Sequence, residues 1–235
     1  MLGLQETINA AVARSMKKSL EQNRSITIGL DFDNTIVSYD NAISLLSADI
    51  GNLPPTLPRN KLAIRNFLRR EGREAEWTRF QGELYGPGMK FAKPFDGSIG
   101  AITSLARLGY KLVIISHRSR YPYAGPPHDL HKYANNWISQ NLLDNIKRVD
   151  PAIFSRICFL ETSNEKIEMI ARLQCLAFVD DLPEILRSTT FPPGTRRVLF
   201  SPTGAFEQYP DDDFEVLHHW NALPGMMQKF VSLFA

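Results

Sequence analysis

Along this chain, short runs of apolar residues that close on polar or charged ones alternate with segments whose apolar residues recur every three to four positions. The runs are SITIGLDF (25–32), YKLVIISH (110–117), RICFLE (156–161), LAFVDD (176–181) and RRVLFS (196–201). Several are apolar almost throughout, as strands covered on both faces must be. Helical periodicity falls between them, at about 98–109, 129–141, 164–174 and 183–188. Strands alternating with helices predict an α/β fold, a Rossmann-like open parallel sheet flanked by helices.

The first two strands are separated by far more chain than one crossover helix requires. Residues 40–95 therefore read as an inserted, small α-helical cap, with helical patterns near 41–49, 60–71 and 73–84. The turn LPPTLP joins them and YGPGMKFAKPFDG ends them. Within it Trp77, Phe80, Leu84 and Tyr85 recur at helical spacing, which suits a small core of its own. The remaining residues, 1–39 and 96–235, form the expected α/β core, with a helix over about 3–22 on its outside or on a second subunit. The tail DDDFEVLHHWNALPGMMQKFVSLFA predicts a helix broken near Pro224 and then a short amphipathic one. Asp211 to Asp213 would complement the first helix's N-terminal dipole.

Composition narrows the function without naming it. The 235 residues carry a formal net charge of +2 with 22% charged residues, and neither a basic stripe nor an acidic tail interrupts the chain. No nucleic acid or membrane surface is expected as a partner on these grounds. Cys158 and Cys175 are the two cysteines, each inside an apolar stretch where a reduced, structural thiol is the expectation. With no signal-peptide pattern and no run of the roughly 20 apolar residues a membrane span needs, a cytoplasmic protein is expected.

The candidate chemistry sits where the apolar runs stop, because ligands of open parallel sheets bind beyond the carboxyl ends of the strands. The first run ends in Asp31, Asp33 and Thr35, and the second in Ser116, His117 and Arg118. The third leads to Lys166 at a helix start, and the fourth ends in Asp180 and Asp181. Alternation along a strand puts Asp31 and Asp33 on one side, a like-charge pair that calls for a cation. These carboxylates are hard oxygen ligands of the kind that suits Mg²⁺. Ser116 and Lys166 are suited to phosphate oxygens. A nucleophilic carboxylate, a metal and a second carboxylic acid together make a phosphoryl-transfer site. His128 and His131 in HDLHKYANNW lack further ligands nearby and read as structural or surface residues.

In these residues the chain resembles the haloacid dehalogenase (HAD) superfamily, phosphatase branch. DFDNT resembles that family's DxDxT motif, Ser116 its second, Lys166 in SNEKIEMI its third, and VDDLPE its acidic fourth. The resemblance covers about 24–40 and 96–201, and the inserted helices match the kind of cap that follows the first motif. It implies Asp31 as the nucleophile that forms an aspartyl-phosphate. It implies Asp33 as general acid and base, with its main-chain carbonyl on the metal, and Thr35 as the residue orienting the Asp33 side. Asp180 and Asp181 would complete the Mg²⁺ site, without the motif deciding which binds directly. Lys147 competes with Lys166 for the third-motif role.

The function implied is a Mg²⁺-dependent phosphomonoester hydrolase for a small soluble phosphorylated metabolite, since a cap that excludes water favours a small molecule. His117 and Arg118 would face the group beyond the phosphate, with Thr35 and Ser116 on the phosphate side. A phosphomutase uses the same aspartyl-phosphate and stays open. A dehalogenase needs neither the metal nor an acid at Asp33. A phospho-acceptor module would carry its acidic pair on the first strand and its acceptor later, the reverse of the order here. Substrate identity and oligomeric state are not legible at this level.

Overall fold

A computed structural model of the chain describes residues 26–143, 153–206 and 208–232. The helix expected over 3–22 and Lys147 lie outside them.

Among the described residues, six strands form one parallel sheet in the order β5-β4-β1-β6-β7-β8. They are β1 (Thr27–Leu30), β4 (Lys111–His117), β5 (Phe154–Leu160), β6 (Ala177–Asp180), β7 (Arg196–Phe200) and β8 (Glu215–Leu217). The order carries the chain outward from β1 through β4 to β5, then back across β1 to β6. The topological switch, and the crevice it opens at the carboxyl ends, therefore lies beside β1. Register sets what meets there. Leu30 lies opposite Ile114 of β4 and opposite Val179 of β6. The Asp31 N–H continues the ladder by donating to the Val179 carbonyl at 2.9 Å. One further step along this register brings Asp31 beside Asp180.

The inner strands are apolar because helices cover them. Val113, Ile115, Cys175, Phe178 and Leu199 pack with Ile170 of α6 (Ser163–Arg172) and Leu186 of α7 (Pro183–Leu186). Gly29 is required at this layer, since a Cβ there would stand 2.5 Å from the Phe178 ring. The helix α4 (Ser98–Arg107) precedes β4. Burial pushes the Cys175 thiol up to about 12 and also raises that of Cys158, as expected of inert structural cysteines.

Beyond β7 the structure corrects the helical reading of the tail. Glu215–Leu217 is a strand rather than a helix, with Val198 opposite Glu215 and Phe200 opposite Leu217, while the short amphipathic helix expected next is α8 (Leu223–Ser232), with Pro224 in its first turn. Proline is tolerated in a first helical turn, where its missing N–H has no intrahelical acceptor. Asp212 does not complement a helix dipole either. It takes two hydrogen bonds from Arg187, at 2.6 and 2.8 Å, and one from the Tyr209 N–H at 2.8 Å. The Arg187 bonds lead in pulling its carboxyl down to about 2. A depressed carboxyl stabilises the fold fully above its unfolded value near 3.9 and loses that contribution as pH falls through the folded value. Wild type is therefore expected to resist urea better than Asp212→Asn at pH 6, with the gap closing as the pH approaches about 2. A gap that persists there would place the stabilisation elsewhere.

The chain divides into two compact units. The sheet unit falls within Met1–Ile36, Phe95–His117 and Ile146–Ala235, and the second within Val37–Pro94 and Arg118–Asn145. The second is mainly helical: α1 (Asp40–Leu46), α2 (Lys61–Arg70), α3 (Glu74–Tyr85) and α5 (Leu130–Ile138). It also holds a two-residue antiparallel ladder, β2 (Val37–Ser38) against β3 (Lys93–Pro94). The helix after the second strand, grouped with the core by its periodicity, clusters with the inserted helices. Trp137 fastens it there by donating its indole N–H to the Ala92 carbonyl at 3.0 Å. Trp77, Phe80 and Leu84 are buried core of this unit. Among the described residues, no helix is long and apolar enough to cross a membrane.

Candidate active site

The turn that leaves β1 carries the first cluster. Asp31 is 3% exposed, Asp33 is half-buried, and Asn34 between Asp33 and Thr35 has φ +56°. Asparagine is among the few residues that enter this left-handed region readily, so the chain reverses within one residue. The Ile36 N–H closes the turn on the Phe32 carbonyl at 3.1 Å.

Lys166 reaches the same place from α6. Its helix starts with a capping box: the Thr162 hydroxyl accepts the Glu165 N–H at 3.2 Å, and the Glu165 carboxylate accepts the Thr162 N–H at 2.9 Å. This fixes the first turn and puts Lys166 on the inward face with Ile167 and Ile170. Its ammonium lies 2.7 Å from Asp31 Oδ1 and 2.7 Å from Asp180 Oδ2, with 1% of the side chain exposed. The spacing Thr-x-x-Glu ahead of Lys166 is a readable signal of where this helix starts, while the face that Lys166 presents is decided by packing.

One ammonium cannot balance two buried carboxylates. Burial raises the Asp180 carboxyl well above the usual range; Lys166 opposes that shift and the like charge of Asp31 adds to it. Burial would lower Lys166, but Asp180 and Asp31 outweigh it and hold the ammonium charged. The site keeps an excess of negative charge, which a further cation would relieve. Asp31, Asp180 and Asp181 offer oxygens that all lie within 4.8 Å of one another, the one such group among the described residues. Three carboxylate oxygens this close together can serve one hard cation such as Mg²⁺.

Asp180 also accepts the Leu182 N–H at 3.1 Å. Asp181 is held by Thr35, whose hydroxyl accepts the Asp181 N–H at 3.1 Å and donates to its Oδ1 at 3.4 Å. Thr35 is wholly buried. These bonds orient the acidic loop after β6, whereas the motif implies the Asp33 and phosphate side for this hydroxyl.

Two residues close β4. Ser116 is 1% exposed, and its hydroxyl has no hydrogen-bond partner among the described residues, a cost native proteins rarely accept without a ligand or water. His117 stands at the strand's exposed end with Nδ1 3.4 Å from the Ser163 hydroxyl. Partial burial and the Lys166 charge lower its pKa against the opposing fields of Asp31 and Asp33, which favours a neutral imidazole. Arg118 differs. Its side chain belongs to the helical unit, donating to the Tyr85 carbonyl at 2.6 Å and the Tyr39 hydroxyl at 3.2 Å, over the Tyr85 ring. His131 donates to the Arg118 carbonyl at 2.7 Å and His128 meets Glu83 at 3.3 Å, both structural contacts.

No protein-family model matches the chain, and no curated protein matches it in sequence. Solved structures do match in shape. A haloacid dehalogenase-like family hydrolase from Xanthomonas campestris is similar at TM-score 0.56 and 12% identity, over 89% of this chain and 97% of that one. A predicted phosphatase from Clostridium acetobutylicum gives 0.56 and 13%, over 87% and 99%. A HAD-type hydrolase from Bacillus subtilis, bound to magnesium, gives 0.56 and 14%, over 86% and 98%. With the six-stranded parallel sheet in this order, the chain has the fold of the haloacid dehalogenase-like hydrolases.

Proposed function

We propose that the chain is a Mg²⁺-dependent phosphomonoester hydrolase that acts on a small phosphorylated metabolite through an aspartyl-phosphate on Asp31. The observation that carries this reading is the buried Lys166 ammonium, 2.7 Å from both Asp31 and Asp180 at the carboxyl ends of β1 and β6. The phosphatase and the magnesium-bound hydrolase among the similar structures support it.

Asp31, Asp180 and Asp181 would hold Mg²⁺ with the main-chain carbonyl of Asp33. When bound, the ion polarises a phosphoryl oxygen and offsets the repulsion between a carboxylate and a phosphate dianion. A carboxylate oxygen of Asp31 attacks phosphorus as the bond to the leaving oxygen breaks, and the carboxylic acid of Asp33 gives that oxygen its proton. The Asp33 carboxylate then takes a proton from a water whose oxygen attacks phosphorus. The bond to Asp31 breaks, and inorganic phosphate leaves. Lys166 and the Ser116 hydroxyl hold phosphoryl oxygens through both halves. Neutral His117 offers a hydrogen bond to the leaving group. Thr35 acts by holding Asp181, and Arg118 by holding the helical unit together. That unit enters the chain directly after Ile36 and again directly after His117, and we assign it the part of the cap that selects the substrate.

The test is phosphate release from a panel of sugar phosphates, nucleotides, phospho-acids and a chromogenic phosphomonoester, with Mg²⁺ and with chelator. Release with Mg²⁺ that stops on chelation is expected for at least one class. A folded protein that releases none from any of them would overturn the reading.

A further inference from the structure

The turn after β1, which carries Thr35, is held by a residue that neither motif nor spacing singles out. Trp220 sits in a one-turn segment (Trp220–Ala222) between β8 and α8, 185 residues from the turn it touches, and is 1% exposed. Its indole N–H donates to the Thr35 carbonyl at 3.1 Å. The Thr35 hydroxyl is in turn both acceptor and donor to Asp181. Aromatic packing holds the indole in place: Phe200 lies 5.7 Å away, and Phe95 meets Phe200 edge-on at 4.9 Å. Phe95 is itself tied to the same turn, its N–H donating to the Ile36 carbonyl at 2.9 Å. The turn after β1 is thus held at two successive carbonyls, that of Thr35 by Trp220 and that of Ile36 by Phe95.

We propose that Trp220 is a positioning residue for the metal site, acting through Thr35 on Asp181. The inference rests on Asp181 being a Mg²⁺ ligand. A half-buried carboxylate on a loop loses conformational freedom when it binds a cation, and residues that fix it beforehand reduce that loss. A tryptophan without its N–H would leave the Thr35 carbonyl buried and unpaired, and the turn would relax to find another donor. The Thr35 hydroxyl would move with it. Asp181 would then lose the orientation that Thr35 gives it before binding.

The experiment is calorimetric titration of Mg²⁺ into the full chain without substrate. Trp220→Phe is expected to weaken Mg²⁺ binding by about 3- to 10-fold, below or at the low end of effects seen for residues directly behind metal ligands. Phe230→Leu, a core substitution in α8 that among the described residues shares no hydrogen bond with Thr35 or Trp220, is expected to lower thermal stability yet leave Mg²⁺ affinity at the wild-type value. In a Thr35→Ala background the Trp220 substitution should cause no further loss, because its route is already cut. Should Trp220→Phe fail to fold, benzothienylalanine at position 220 keeps the fused ring and removes only the N–H. Wild-type affinity in either Trp220 variant, or an undiminished loss in the Thr35→Ala background, overturns the inference. A wild-type chain that takes up no Mg²⁺ overturns the metal reading itself, which distinguishes the two failures.

Discussion

Asp31→Asn is expected to lower the rate of phosphate release by about 10⁴-fold or more, the scale seen when a covalent nucleophile is removed from a catalytic set. The amide is nearly isosteric and fits the same pocket, but its oxygen is a poor nucleophile toward phosphorus. The fold should survive, because the substitution removes negative charge from a site with an excess of it: Lys166 keeps Asp180 at 2.7 Å. Unfolding in urea without Mg²⁺ should therefore show no loss of stability against wild type. Labelled substrate should leave the variant unlabelled after acid quench, while wild type traps label on the protein. Turnover near the wild-type rate, or label retained by the variant, would remove Asp31 from the nucleophile's role.

Lys166→Met keeps most of the side-chain volume and deletes the charge. It leaves Asp31 and Asp180, 3% and 0% exposed, facing each other without their shared cation. Removing one member of a buried ion pair typically costs about 3–5 kcal/mol, and a loss of that order is expected in metal-free denaturant unfolding. Added Mg²⁺ should restore more stability to the variant than it adds to wild type, since it is then the remaining counter-charge. Turnover should fall about 10²- to 10³-fold, as when one preorganised donor to a transition state is removed. Lys166→Arg is not expected to rescue, because a planar guanidinium does not fit a site built around a compact ammonium. Full stability with full activity would pass the role to another cation, with Lys147 the first to test.

Much of this was legible in the chain itself. The five apolar runs became strands within a residue or two of their expected ends; the inner ones are covered on both faces and leave a continuous apolar signature, while the edge strand β5 is only partly buried. The polar residues at their carboxyl ends mark where that cover stops. The inserted helices show themselves by period, and Trp77, Phe80 and Leu84 at helical spacing are core. The three residues of β8 were not legible. So short a run between charges satisfies a helix as well as a strand, and it is the open edge of β7 that makes it a strand.

Helix α5 shows the same limit at a larger scale, since periodicity gives a helix its apolar face but not the unit that receives it. Local composition by itself determined the period of each element, where each strand stops and which residues could carry chemistry. Only the tertiary structure decided which of them meet. Asp31, Lys166 and Asp180 come from three elements up to 149 positions apart, joined by the parallel register of β1 with β6 and by the capped first turn of α6. The partner of the Thr35 hydroxyl is 146 residues away, and that of its carbonyl is 185. Such pairings depend on crossovers closing at one register, a property of the whole sheet that no window of sequence contains.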